Sequence, residues 1–418
     1  METTKSRILN EGAHGVSHPS PTLVERLFLR ILRGIQYGSL EVVLPSGALR
    51  RFGDPKFPVC TLRIHRTDFF RKLFSSGSIG MGESYVDGDW DSSDLTALLT
   101  LLAKNQKEIG RVRNGFSLIA RKLNRMYHRA RRNTLEASVT NIQEHYDLSN
   151  AFYGTFLDGT MTYSSACFES AEETLETAQI RKMDRMLDLA GVSAGDSILE
   201  VGSGWGGLAL RAAKRGCFVR TVTLSREQYD YAKALFAAEG LEGQISIEEM
   251  DYRRLEGQYD AVLSCEMIEA VGKEYLDSYF EKIRDCLKPG GKAVLQAITI
   301  PDERYDRYSK SCDWIQKHVF PGGHLPSPGA IESHVKKAGG LAIVETHRFG
   351  QDYAETLRRW AVAFNGAQEQ VKRLGFDRTF CRKWNYYFSY CQAGFLTDLI
   401  DVEHVVLGSR ESEAPSRG

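Results

Sequence analysis

Long hydrophobic runs are missing from this chain of 418 residues. Its longest apolar stretch, Leu95–Ala103, is broken by threonines and falls short of the roughly 18 residues that a membrane span requires. Net charge is missing too: 54 basic residues balance 54 acidic ones, which argues against a dedicated nucleic-acid binder. The eight cysteines form no CxxC pair and show no regular spacing. A zinc site or disulfide scaffold is therefore disfavoured, and reduced thiols in a cytoplasmic protein are expected. The opening METTKSRILNEGAHG holds no apolar signal core, so export is not expected. Internal repeats and long low-complexity tracts are absent as well.

What remains has an ordinary globular composition, 42% hydrophobic and 26% charged. At roughly 150 residues per domain the length suggests two or three domains. Residues 1–20 are polar, with Pro19 and Pro21 at their end, and read as a flexible arm. From Thr22 to Tyr37, Leu23, Leu27, Ile31 and Ile35 recur every four residues, which is one helix face. Short alternating segments at Leu40–Leu44 and Val59–Ile64 read as strands, and Asp68–Ser75 and Asp94–Ala103 as helices. Residues 21–108 are thus expected to form a small α+β domain.

Residues 109–139 differ. The eight Lys and Arg between 109 and 135 have no acidic counterpart, which leaves the rest of the chain at −8. Phe116, Ile119, Ala120, Leu123 and Met126 fall at helical spacing among them. Two readings stand: a solvated connector helix, or a basic amphipathic helix resting on an anionic membrane surface. From about 190 onward strands alternate with helices: Ser197–Val201, Leu208–Arg215, Cys217–Val222, Arg226–Glu239, Ile245–Glu248, Tyr259–Ser264, Lys273–Cys286 and Lys292–Ala297. Such alternation implies crossover units and a mostly parallel, doubly wound α/β sheet. Ala342–Thr346 and Asp401–Leu407 alternate apolar with polar and suggest an antiparallel closing hairpin. Residues 409–418 read as a disordered tail.

The strongest motif is Ile198-Leu-Glu-Val-Gly-Ser-Gly-Trp-Gly-Gly207. A buried strand ends, Gly202, Gly204 and Gly206 follow at alternate positions, and a helix begins. Glycines there permit positive φ and close approach of a ligand to the backbone. The spacing differs from the dinucleotide fingerprint GxGxxG, and the loop has no lysine for a triphosphate. The acidic Glu200 leading into GxGxG resembles the S-adenosylmethionine site of Rossmann-like methyltransferases, where the acid faces the cationic amino-acid end of the cofactor. The second strand ends at Thr223-Leu224-Ser225 without the acid that dinucleotide enzymes place there. Gln228, one turn on, is either a ligand to the cofactor or half of a Ser225–Gln228 capping box. Asp251 and Tyr252 follow the third strand, and Asp251 is placed to accept from the adenine amine.

Eight segments together resemble the cyclopropane-fatty-acyl-phospholipid synthases: His145–Asn150, Met161–Ser165, Glu200–Gly206, Thr223–Ser225, Glu266–Gly272, Phe320–Ser327, Tyr353–Trp360 and Tyr387–Phe395. The resemblance spans residues 140–408. It implies a Rossmann-like methyltransferase with a seven-stranded sheet, which moves a methyl group from S-adenosylmethionine to a cis double bond of a phospholipid acyl chain. A carbocation forms, the new methyl loses a proton, and a cyclopropane ring closes. Such a cation must be shielded from water, and aromatic faces stabilise it without attacking it. Tyr146, Phe152, Tyr153, Phe156, Tyr163, Tyr353 and Trp360 supply aromatic rings, which are otherwise ordinary core. In the family a bicarbonate serves as base. Carried over by motif, its holders are Ser165 (where many members have Cys), Glu269, Gln296 (where many have His), Ile298 and Tyr353. Ala270 replaces the usual His after the Glu. Glu269 and Tyr353 are the expected catalytic groups. Cys391 is a third candidate, because it matches a family cysteine proposed as a nucleophile, but it also reads as a small core residue. Tyr163, Ser164 and Trp205 are expected at the cofactor, with Glu200, the three loop glycines, Thr223, Leu224, Gln228, Asp251 and Tyr252. The reading implies unsaturated phospholipid as partner, a cytoplasmic protein peripheral on the inner membrane face, and allows a homodimer. Three rivals remain, the first two being a methylene- or methyl-branched product and a small-molecule N-methyltransferase. A lipid-binding protein without activity is a third.

Overall fold

The computed structural model describes residues 20–112 and 148–409. Most of the basic segment 109–139 and the first three residues of His145–Asn150 therefore lie outside the described residues, as do the arm and the tail. The chain divides into two compact units, and the division is not sequential: Phe376–Leu399 groups with the N-terminal unit, although sequence order had assigned it to the methyltransferase block.

The N-terminal unit holds a four-stranded sheet in the order β2-β1-β3-β4, formed by β1 (Ser39–Val43), β2 (Leu49–Gly53), β3 (Val59–Ile64) and β4 (Trp90–Asp91). β1 and β3 are parallel and the other pairs antiparallel. The edge strand β2 and the helix Ser78–Val86 were not anticipated. β2 has no buried residue, so hydrophobic alternation gave it no signal. Phe28, Phe69 and Phe70 meet edge-on at 5.1–5.4 Å in the core. The helix Arg378–Leu396 completes this unit. Its Arg382 donates to the carbonyls of Tyr85 (2.6 Å) and Trp90 (2.8 Å) and to the Asp91 carboxylate (2.7 Å), and its guanidinium lies 4.0 Å from the Tyr85 ring centroid. Arg382→Ala should lower the stability of this unit by about 2 kcal/mol, because three donors to buried or charged acceptors are lost together. A chemical-denaturation midpoint that does not move would contradict that role.

The second unit carries a seven-stranded sheet in the order β10-β11-β9-β8-β5-β6-β7. Its strands are β5 (Ser197–Val201), β6 (Phe218–Thr223), β7 (Ile245–Glu249), β8 (Tyr259–Cys265), β9 (Leu287–Thr299), β10 (Leu341–Arg348) and β11 (Asp401–Ser409). β5 to β9 pair in parallel, as the alternation of strands and helices required. Successive residues face opposite sides. Leu199, Val201, Val262 and Leu295 pack with the helices Leu276–Asp285 and Pro328–Ala338. Ile198, Ala261, Leu263 and Val294 pack with Leu175–Ala190, Gly207–Lys214 and Arg226–Ala238. The expected closing hairpin needs correction. β11 does run antiparallel to β10, but it inserts between β9 and β10 and pairs with both. Its residues Val402–Leu407 are all buried, because an interior strand is covered on both faces. The functional consequence is a cross-strand register that places His404 opposite Gln296.

Candidate active site

The glycine loop leaves β5 where the strand order reverses, with β6 on one side and β8 on the other. Open α/β sheets bind ligands at that switch point. The amides of Gly202 and Ser203 donate to the Val222 carbonyl at 3.1 and 2.9 Å, which ties the loop to β6. Gly202, Gly204 and Gly206 have φ of +94°, +49° and +92°. A Cβ on Gly206 would lie 2.7 Å from the Phe236 ring, whereas one on Gly204 would meet nothing within 4 Å. The loop is thus closed towards its helix and open at Gly204.

Beneath it Glu200 is 2% exposed and accepts from the Thr221 hydroxyl at 2.5 Å. Burial pushes its carboxyl up to about 8, opposed by Thr221 and by the charge of Lys182. Lys182, which sequence reasoning missed, is 1% exposed on the helix Leu175–Ala190. Its ammonium donates to the Ser164 hydroxyl at 2.6 Å and lies 3.4 Å from the Cys265 sulfur. Its sequence signal is a lysine on a mostly apolar helix face, which also carries the buried Gln179. Thr223 donates to the Gln228 side-chain carbonyl at 2.8 Å, and Ser225 caps the Gln228 amide at 3.3 Å, so Gln228 is held within the turn. Leu224 is half-buried beside it. Asp251 is clasped by Arg253, through the backbone amide at 2.9 Å and the guanidinium at 2.8 and 2.5 Å. The neighbouring Tyr252 packs its ring against Tyr279. A loop open at Gly204 and a buried acid at its root fit a cofactor with a cationic amino-acid end, as S-adenosylmethionine has.

Bicarbonate does not fit, and the expectation for it is corrected. The donors assigned to it converge on Glu266 instead. The Ser165 amide (2.8 Å) and the Gln296 amide nitrogen (2.7 Å) donate to one carboxylate oxygen, and the Tyr353 hydroxyl (2.6 Å) to the other. The second Gln296 proton goes to the Ser165 carbonyl at 3.2 Å, and the Ser165 hydroxyl to the Ala166 carbonyl at 3.0 Å. The Ile298 amide donates to Glu269 at 2.5 Å. Every proton that was to hold a third anion is therefore already given to a carboxylate or a carbonyl. Glu269 keeps one buried oxygen, Oε2, without a hydrogen-bond partner. Burial and then the charge of Glu266 push Glu269 up to about 8. Burial raises Glu266 as well, opposed by Tyr353, Ser165, Lys182 and Gln296, and these donors favour ionisation of Glu266 over that of Glu269. His404, also missed, lies opposite Gln296 at 2.9 Å. Burial, with Arg185 and Lys182 nearby, holds its imidazole well below the ordinary range and hence neutral. Because Gln296 turns its NH2 to Glu266, its carbonyl faces His404, which therefore donates through Nε2.

The aromatic residues do assemble in this unit. Tyr153 lies 4.9 Å from Trp205 and 5.3 Å from Tyr163, and Tyr163 lies 5.2 Å from Trp360. Phe152, Phe156 and Tyr353 extend the group, whereas Tyr146 falls outside the described residues. The Trp205 indole N–H donates to the Asn150 side chain at 2.6 Å. Cys391 lies on the helix Arg378–Leu396 of the first unit, half-buried, and donates none of the hydrogen bonds that converge on Glu266.

Three comparisons bear on this arrangement. Residues 133–405 match the family described as mycolic acid cyclopropane synthetase. The tuberculostearic acid methyltransferase of Mycobacterium tuberculosis is 42% identical over 87% of this chain and 86% of its own length. The cyclopropane-fatty-acyl-phospholipid synthase of Escherichia coli is 32% identical over 82% and 87%. Among solved structures, a mycolic acid cyclopropane synthase in complex with SAH and CTAB superposes with a TM-score of 0.61 at 30% identity, covering 65% of this chain and 98% of its own. The glycine loop, the buried acids and the aromatic group therefore have a common explanation: the chain belongs to the mycolic acid cyclopropane synthetase family and is an S-adenosylmethionine-dependent methyltransferase.

Proposed function

We propose that the enzyme methylates a cis double bond in an unsaturated phospholipid acyl chain. One observation carries this reading: an aromatic group stands in the same unit as buried carboxylates at the strand ends. Bound S-adenosylmethionine supplies an electrophilic methyl group on sulfonium. The rings of Tyr163 and Trp360 then offer their faces to positive charge on the lipid, and the surrounding packing excludes water. Tyr353, through its hydroxyl, holds the carboxylate that faces this charge. The family resemblance points to a cyclopropane ring. The 42% identity to a protein named as a methyltransferase, over nearly the whole chain, favours an open-chain methylated product as the second reading. The basic segment 109–135 supports action at an anionic membrane surface. No helix among the described residues is long and apolar enough to cross a membrane.

The test incubates purified enzyme with S-adenosylmethionine and vesicles of cis-unsaturated, partly anionic phospholipid, followed by mass spectrometry of the fatty acids. A product heavier by CH2 that resists mild hydrogenation is the ring, and one that takes up hydrogen is a methylene branch. No lipid product despite measurable cofactor binding would overturn the proposal and point to small amines.

A further inference from the structure

Glu266 stands apart among the residues of this site. It directly follows β8, its amide donates to the Gln296 carbonyl at 2.8 Å, and its φ is +49°. Left-handed backbone at a residue other than glycine costs on the order of 1 kcal/mol and persists where surrounding contacts enforce it, most often at functional sites. The reward for that conformation is visible: it presents the carboxylate to the Ser165 amide, the Gln296 side chain and the Tyr353 hydroxyl at once. Behind Gln296, His404 fixes the orientation of the amide. Beside Glu266, Glu269 keeps a buried oxygen without a partner.

We propose that the Glu266 carboxylate takes the place of a bound bicarbonate and is itself the base of the reaction. The inference rests on the proposed methylation of a lipid double bond. In that reaction the alkene electron pair forms the new C–C bond as the C–S bond breaks, which leaves a cation on the neighbouring carbon. One C–H bond of the transferred methyl then breaks. Its proton goes to a Glu266 oxygen. Its electron pair closes the three-membered ring or, after a 1,2-hydride shift has moved the cation to the methyl-bearing carbon, forms the C=CH2 bond of a methylene branch. The three donors favour the ionised form of Glu266 against the cost of its burial, and Glu269, which repels a second negative charge beside it, is the more readily protonated of the two. A tethered base needs no dissolved anion, so turnover is independent of bicarbonate.

The experiment compares wild type with Glu266→Gly, a change that suits the backbone conformation and frees all three donors. Both are assayed on the vesicles in CO2-free buffer, with and without added bicarbonate. Wild-type turnover should be the same in both buffers. The variant should fall by about 10²-fold or more without bicarbonate, the usual contribution of a general base, and recover when bicarbonate is added. Wild-type turnover that depends on bicarbonate, or a variant that works at the wild-type rate without it, would overturn the proposal. Binding of 13C-labelled bicarbonate, followed by NMR, needs no lipid. It should be seen with the variant and not with wild type, and binding to wild type would overturn the proposal even if the lipid assignment failed. Lack of lipid product in every buffer, with the binding pattern as expected, would sink the substrate reading and leave the displacement of bicarbonate standing.

Discussion

Lys182→Met should reduce kcat/KM at pH 7 by about 10²-fold and recover part of it at higher pH. The lysine is 1% exposed, and its charge lowers the proton affinity of both Glu200 and Glu266. Methionine of similar length fills the space but carries no charge, so both carboxyls rise further. Glu200 already stands at about 8, against 4.5 for a free side chain. Such a group binds its proton more tightly in the folded state than in the unfolded one. It therefore makes stability fall as pH rises between about 4.5 and 8. Without Lys182 that window extends upward, and the acid limb of the pH–rate profile moves the same way. A purely structural lysine would lower stability and leave the profile in place. The pH–rate profile therefore decides, and restoration by Lys182→Arg would show that the charge is what matters.

Gly206→Ala should be nearly as damaging, for a different reason. Its φ of +92° lies in a region that alanine adopts only under strain, and the new Cβ would meet Phe236 at 2.7 Å and Ala232 at 3.0 Å. Backbone strain and overpacking together cost about 3–4 kcal/mol, enough to lower the melting temperature by roughly 10 °C. Gly204→Ala is the informative companion. Its φ is +49° and its Cβ would face open space, so stability should drop by only about 1 kcal/mol. Cofactor affinity should nevertheless weaken by at least about tenfold, because the methyl group stands where the loop is open to its ligand. Calorimetric titration with S-adenosylmethionine, paired with thermal unfolding, separates the two effects. Unchanged affinity in Gly204→Ala would show that the cofactor does not approach the loop there.

Local regularities were legible in the sequence. The parallel strands β5 to β9 followed from apolar runs alternating with helical periods, and the loop between Val201 and Gly207 from its glycine spacing. Features set by distant partners were not. Glu266 and Glu269 sit three residues apart in one motif, and only the backbone turn at Glu266 decides which of them meets Tyr353. His404 lies within an apolar run whose partner across the sheet depends on β11 entering between β9 and β10. Lys182 breaks the apolar pattern of its helix, and a lone polar residue there cannot be told from an exposed one without its neighbours. Phe376–Leu399 shows the same limit for domains, since contact rather than chain order decides membership.

The late position of β11 has a consequence for biosynthesis. This strand, Asp401–Ser409, joins β9 to β10 inside the sheet, and the helix that completes the first unit, Arg378–Leu396, is made just before it. Neither unit can close until synthesis has passed these late segments. From the end of β9 at Thr299 to the end of β11 at Ser409 the ribosome needs on the order of 10 s at cellular elongation rates. Throughout that time, β9 and β10 present unpaired edges that invite pairing with other chains. Nascent chains interrupted before residue 400 should therefore depend on holding chaperones and aggregate without them.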